Sequence, residues 1–445
     1  MLHRSGAFEL VQVTAGDFSQ GTRLATLVQT AQRLMHERRL DEAAAAWQGV
    51  LALKPDHAQA LFHLGQHHLF RRQPGEALVL LERAEAADPK NPAIALNVSF
   101  VHRLQGDAKK EMAALVRSLG ADPYFFPALL AKAMLLERSG DKRRAAQVFK
   151  DVITIAPPPD QLTPELRAAL EHARAAVDEN AAALDAHLDA ALQPLRARHA
   201  DAALERFDEC KDISIGRAKA HVQQPTLLLV PRLPAIPFYD NADFPGLKIL
   251  EDATETIRGE LLALIGADEG GFRPYVDHPD GSPLNQWAGL NRSMKWNARF
   301  LWKDGERIDE VCRLCPKTAA LLEKAGMADI PGYAPTAFFS VLQPRTEIPP
   351  HTGVTNARLI AHVPLVVPQG CRFRVGNVTR DWRPGEAWVF DDTIEHAAWN
   401  DSDEIRIILI MDVWNPLLGA AEREMIAALL NATRSYYGEI PPASF

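Results

Sequence analysis

Residues 386–414 read EAWVFDDTIEHAAWNDSDEIRIILIMDVW. Two apolar runs, 386–390 and 405–414, flank a polar segment, and both have the length and the aromatic or branched composition of β-strands. Alternation along the second puts Arg406, Ile408 and Ile410 on one strand face. His396 stands between the runs, and 45 positions earlier His351, in Pro350-His351-Thr352-Gly353, also precedes an apolar run. Both histidines therefore look like strand-edge positions, where metal ligands converge. Three further runs, 337–343, 358–367 and 371–382, have the same character with turn signals between them. Five such strands predict a sandwich or jelly roll, and the patterns of 252–264 and 318–328 predict amphipathic helices that support the sheet.

The first third of the chain is built differently. Pro55, Pro89, Pro123 and Pro157 are each 34 residues apart, and the small residues Ala31, Gly65, Ser99 and Ala133 keep the same step. So do the bulky Trp47, Leu81, Leu115 and Phe149, while the set Ala43, Ala77, Glu111 and Ala145 has one lapse. Each unit thus has a small residue where two helices touch, an apolar knob in the second helix and a proline that stops that helix. This resembles the tetratricopeptide repeat over residues 25–160, although the family's tyrosine after the small residue is replaced by Leu34, His68, His102 and Leu136. Stacked helical hairpins form a groove for a peptide or helix of a partner, or act as a dimerisation or spacer element. The Ala-rich stretch 163–200 predicts a helix capping the solenoid. The organisation expected is an amino-terminal segment 1–24, repeats 25–160, a helical linker or cap 161–205, and a β-rich domain 206–445.

The 445 residues are 47% apolar and 24% charged, with a formal charge of -8, which gives no electrostatic reason to bind nucleic acid or anionic lipid. Residues 1–21 lack the apolar core of a signal peptide, and the apolar stretch 226–238 is interrupted by Pro231, Arg232, Pro234 and Pro237. A soluble, cytoplasmic protein without a membrane or nucleic-acid partner is expected. Four cysteines cannot form a disulfide framework in so long a chain; Cys312 and Cys315, followed by Pro316, read as a zinc or redox pair or as helix-end packing. The sequence holds no GxSxG elbow, no glycine-rich phosphate loop and no His-Glu-x-x-His helix.

An iron(II) oxygenase usually holds its metal with two His and one carboxylate, leaving positions for an oxidant and a bidentate cosubstrate. The carboxylate normally two residues after the first His is Gly353 here. Three segments are similar to the aspartyl/asparaginyl beta-hydroxylase family of 2-oxoglutarate and iron(II) dioxygenases. They are His351-Thr352-Gly353-Val354-Thr355-Asn356, then Phe390-Asp391-Asp392-Thr393-Ile394-Glu395-His396, and Arg406 followed by Asp412-Val413-Trp414-Asn415-Pro416. The likeness covers residues 225–418. It implies a jelly roll of the double-stranded β-helix type and iron held by His351 and His396. Animal members also carry Gly at the place of Gly353. Asp391 and Asp392 either supply a replacement ligand or, at a turn beside His396, orient backbone and imidazole.

The cosubstrate 2-oxoglutarate is a dianion whose distal carboxylate needs a partner when buried, and a guanidinium offers two parallel bonds; Arg406 fits that role. By resemblance, Ser340 assists the same carboxylate and His362 contacts the cosubstrate. The family's arginine two residues before His362 is Ile360, and Arg358, one pleat earlier on the same strand face, is a candidate to compensate. Trp296, with Asn291-Arg292-Ser293, matches a region on the substrate side of the family's pocket, or is a core tryptophan. The catalytic set expected is His351, His396 and Arg406, with iron(II), 2-oxoglutarate and dioxygen. The reaction expected is hydroxylation of an aspartyl or asparaginyl β-carbon in a peptide or protein held by the repeat groove. Two alternatives stand beside it: a small-molecule hydroxylase acting on a free amino acid or a lipid, and a non-catalytic repeat scaffold.

Overall fold

The structure, a computed structural model, describes residues 15–266 and 271–437; of the expected segment 1–24, residues 1–14 lie outside the described residues. Contacts divide the chain into two compact units, Met1–Ala202 and Ala203–Phe445.

The first unit pairs helices in chain order: α1 (Ala15–His36) with α2 (Leu40–Leu53), α3 (Ala58–Phe70) with α4 (Pro74–Ala87), α5 (Pro92–Leu104) with α6 (Ala108–Ala121), and α7 (Phe126–Arg138) with α8 (Lys142–Thr154). Pro55, Pro89, Pro123 and Pro157 fall just beyond α2, α4, α6 and α8, where a residue without an N–H cannot continue a helix. The knobs Trp47, Leu81, Leu115 and Phe149 are fully buried. Gly65 shows why the small position is small, because a Cβ there would lie 2.6 Å from Leu81 Cγ. The lapse at Glu111 is buried as well, only 3% exposed, and Arg138 Nη2 neutralises it with bonds of 2.9 Å to both carboxylate oxygens. Helix α9 (Pro164–Arg198) begins on a Thr163 cap and buries Leu170 and Ala173 against α7 and α8.

In the second unit, chain order gives α10 (Glu205–Ile215), β1 (Phe238–Tyr239), α11 (Leu247–Asp252), α12 (Thr254–Gly266), β2 (Arg273–Pro274), β3 (Trp296–Lys303), β4 (Glu306–Arg307), α13 (Asp309–Leu314) and α14 (Pro316–Lys324). Then come β5 (Ala337–Leu342), β6 (Thr346–His351), β7 (Arg358–Val366), β8 (Cys371–Val375), β9 (Val378–Asp381), β10 (Trp388–Phe390), β11 (His396–Asn400), β12 (Arg406–Trp414) and α15 (Ala420–Tyr437). A large antiparallel sheet runs β1-β10-β7-β12-β5-β3-β2, with β4 on β3, and a small one runs β6-β11-β8-β9. Their facing sides share one core, in which Phe338, Ile408 and Ile410 meet Ile348, Phe373 and Val375. The outer face of the large sheet packs Phe339, Val363 and Leu409 against Leu250, Ile257, Leu261 and Leu322 of the helices. Strand β12 is thus covered on both sides, which explains its near-continuous apolar run.

The jelly-roll expectation holds, with more strands than the five read from the sequence. The run 371–382 is two strands, β8 and β9, folded at Gly376-Asn377. The sequence reading passed over β3, β6 and β11. Two prolines conceal β6, and it tolerates them because it is the edge of the small sheet. Cys312 and Cys315 are packing residues of the outer core: the Cys312 thiol donates to Leu301 O (3.5 Å), and burial pushes Cys315 up to about 12. No helix among the described residues is long and apolar enough to cross a membrane. The apolar stretch 226–238 instead straps the loops of the small sheet, where Thr226 N donates to Gly353 O (2.9 Å) and Val230 N to Asn356 Oδ1 (2.7 Å).

The Gly65 contact predicts that Gly65→Val lowers the stability of the repeat unit by about 1–3 kcal/mol. A lower urea midpoint is the expected reading; an unchanged one would mean that α3 and α4 can separate without cost.

Candidate active site

Strands β6 and β11 pair antiparallel with His351 directly opposite His396, and the two rings lie 4.0 Å apart between centroids. Each ring is fixed in the same local way, His351 Nδ1 to Pro349 O (2.8 Å) and His396 Nδ1 to Ile394 O (3.0 Å). A carbonyl partner requires the proton on Nδ1, which leaves Nε2 of both rings as the lone-pair nitrogen. Burial pushes both imidazoles below their usual range, His396 to about 4, so both are neutral, the form that binds metal. Trp287 meets the His351 ring edge-on at 5.0 Å and Phe390 meets His396 at 5.3 Å.

Gly353 explains the missing carboxylate sterically. A Cβ at this position would overlap the carboxylate of Asp392, and Gly353 N donates to Asp392 O (2.6 Å). Asp392 is bonded by Arg358 Nη1 (2.8 Å), and Arg358 Nε lies 3.3 Å from Asp412, whose other oxygen accepts from Thr336 N (2.7 Å). All three charges are buried, and burial raises both carboxyl groups, Asp412 to about 6. Asp392 Oδ1 has no hydrogen-bond partner. Asp391 is spent on the turn, accepting from Thr393 N (3.0 Å), Thr393 Oγ1 (2.6 Å) and Gln223 Nε2 (2.6 Å). Among the described residues no group of three or more His, Cys, Asp or Glu converges as a metal cage. Two facing neutral imidazoles are nitrogen donors of the kind a divalent ion takes, with its remaining positions left to exogenous ligands.

A cavity of about 900 Å³ joins these groups to Arg406, Ser340, His362, Trp296 and Arg358, so the sequence candidates line one space. Arg406, on the inner face of β12, is 1% exposed. Its Nε has no partner, no carboxylate among the described residues pairs with it, and burial lowers it to about 10. Trp296 Nε1 donates to Ser340 Oγ (3.1 Å), so the serine's one proton is available to another acceptor. His362 is buried with Nδ1 unpartnered, and burial, then Arg406, lowers it well below the usual range. Arg358 is not a free substitute for an arginine at 360, since two carboxylates already share its guanidinium; Ile360 itself lines the cavity. Asn291 and Arg292 turn elsewhere, to His278 N and to Asp277 and Asp280. Trp287, Tyr275 and Trp382 were not singled out from sequence, because each belongs to a loop or short strand whose course the local pattern does not give.

If the Asp392 carboxylate sets the limit at 353, Gly353→Ala should cost at least about 2 kcal/mol in the native chain and much less beside Asp392→Gly. A double-mutant cycle by chemical denaturation with coupling below about 0.5 kcal/mol would refute the steric account.

Residues 251–416 match the family model described as aspartyl/asparaginyl beta-hydroxylase, and residues 34–99 match a tetratricopeptide repeat model. The chain is 35% identical over 185 residues to the mouse aspartyl/asparaginyl beta-hydroxylase, covering 41% of this chain and 23% of that protein. Over 213 residues it is 30% identical to the human aspartate beta-hydroxylase domain-containing protein 2 (47% of this chain, 55% of that one). Over 198 residues it is 32% identical to the ornithine lipid ester-linked acyl 2-hydroxylase of Rhizobium tropici (44% and 66%). The chain thus spans under a quarter of the mouse protein's length and about half of the human one's. The matched stretch holds both imidazoles and Arg406, so the carboxy-terminal domain is similar to the aspartyl/asparaginyl beta-hydroxylase family over residues 251–416, behind a stretch similar to tetratricopeptide repeats.

Proposed function

We propose that the carboxy-terminal domain is an iron(II)- and 2-oxoglutarate-dependent dioxygenase that hydroxylates the β-carbon of aspartyl or asparaginyl residues in a peptide or protein. The observation that carries this is Arg406, a buried guanidinium without a carboxylate partner in the cavity that the two neutral imidazoles share. A buried cation is costly unless an anion meets it, and a dicarboxylate bound there supplies one. Bound iron would contribute dioxygen chemistry, in which the keto acid leaves as succinate and carbon dioxide and the substrate carbon gains one oxygen.

The residues' own work is to bind, orient and exclude water. His351 and His396 present Nε2 from rings that their Nδ1–carbonyl bonds hold still. Arg406 takes the distal carboxylate of the cosubstrate, and the Ser340 hydroxyl, with its acceptor side engaged by Trp296, donates to the same group. His362 is neutral, lines the same cavity and would contact the cosubstrate there. Ile360, Ile408 and Ile410 keep the cavity wall apolar, so each polar contact inside it is strengthened. A groove on the repeats would present the peptide substrate, as repeats of this family suggest a protein partner.

A second reading has one observation behind it, the lipid acyl hydroxylase that this chain matches over 66% of that protein's length. A chain beginning at Ala203 separates the two, because a peptide hydroxylase should lose at least about tenfold in kcat/KM and a small-molecule enzyme should keep it.

Anaerobic protein with iron(II) and 2-oxoglutarate should develop a visible charge-transfer band, and aerobic turnover should release succinate. The reading fails if neither is seen. Arg406→Ala should weaken 2-oxoglutarate binding by about 30- to 1,000-fold, the usual loss when one partner of a buried charge pair is removed, with iron binding retained. His351→Ala should abolish the band while leaving the unfolding transition within about 1 kcal/mol.

A further inference from the structure

We propose that the indole N–H of Trp382 donates to the same carboxylate that Arg406 receives, making a guanidinium–indole clamp for the cosubstrate. This deepens the dioxygenase reading and rests on it. Trp382 follows β9 directly, is 4% exposed and lines the cavity beside Arg406 and His362. The Arg406 guanidinium lies over its ring, 4.9 Å from the centroid, and the His362 ring is 6.0 Å away. Trp382 Nε1, Arg406 Nε and His362 Nδ1 are all buried without a hydrogen-bond partner.

An indole N–H can only donate, so it is satisfied by an acceptor or not at all. Buried donors are seldom left unpaired, and here two donor-only groups stack on each other with no acceptor among the described residues for Trp382 Nε1 or Arg406 Nε. One carboxylate has lone pairs enough for both, and the cation over the ring fixes how the two donors are presented to it. Ile360 lines the same cavity and offers no donor, and an indole adds a hydrogen bond without burying a second charge. Trp388 provides a built-in contrast: its Nε1 is equally unpartnered and its ring stacks on Trp382 at 5.8 Å, yet it does not line the cavity.

The test uses the full-length, metal-free chain with 2-oxoglutarate and glutarate as probes. By titration calorimetry, Trp382→Phe, which keeps an aromatic face for Arg406 but removes the N–H, should raise Kd for both probes about tenfold. Trp388→Phe should change it less than about twofold. In the ¹⁵N-labelled native chain, the Trp382 indole cross-peak should move downfield on saturation with glutarate, a readout that does not depend on either variant folding. Native-like Kd in Trp382→Phe, equal losses in the two variants, or a stationary Trp382 indole peak at saturation would each overturn the clamp. A native chain that binds neither probe would bring down the dioxygenase reading itself, and the clamp with it, which is a different result from any of these.

Discussion

A guanidinium taken out of water has to be met by acceptors, and the inner face of the large sheet buries two of them. Arg358 is met twice, by Asp392 from the turn before β11 and by Asp412 from β12, and so ties three separate stretches of chain together. Arg406 is met by no carboxylate of the described chain. The first arginine therefore belongs to the framework: removing it would leave two buried carboxylates without a counter-charge, at a cost of about 3–5 kcal/mol. The second leaves an unmatched positive charge on the cavity wall. Both lie on strands whose other face is packed on helices, and the period of two that buries Leu359 and Leu409 outward turns the arginines inward.

The framework was legible in the sequence where both faces of a strand are covered. Strands β5, β7 and β12 announce themselves as long apolar runs, and the repeats announce themselves by their period. The small sheet was harder to see. Strand β6 reads Thr-Glu-Ile-Pro-Pro-His and β11 reads His-Ala-Ala-Trp-Asn, neither of which carries the alternation that marks a half-buried strand. The histidines stood out only because motif and spacing identified them. That they face each other is a matter of strand register, which no local pattern contains. The partners of Arg358 lie 34 and 54 positions away in sequence, so its engagement by Asp392 and Asp412 could be learned only from the fold.

Gly353 gives the same lesson from the opposite direction. In the sequence it is an absence, a position where a carboxylate would be expected. In the fold the space it leaves is filled by Asp392, whose carboxylate comes from the neighbouring strand's turn and is shared with Arg358. Negative charge is thus retained in this part of the fold but held in a buried ion pair with Arg358. The repeats show a comparable exchange at Glu111, where a charged residue in a small-residue position is tolerated because Arg138 reaches across to it.

The strand that ends in His351 borders the small sheet and has no paired strand on its outer side among the described residues. Such borders invite foreign chains to add on by main-chain pairing, and here addition would pull directly on the His351 side chain. Pro349 and Pro350 lack an N–H immediately before the histidine, and because successive residues of a strand face opposite edges, one of them withdraws a donor from that border. The ring that Pro349 O steadies thus follows a stretch of backbone that offers a foreign strand fewer donors to pair with.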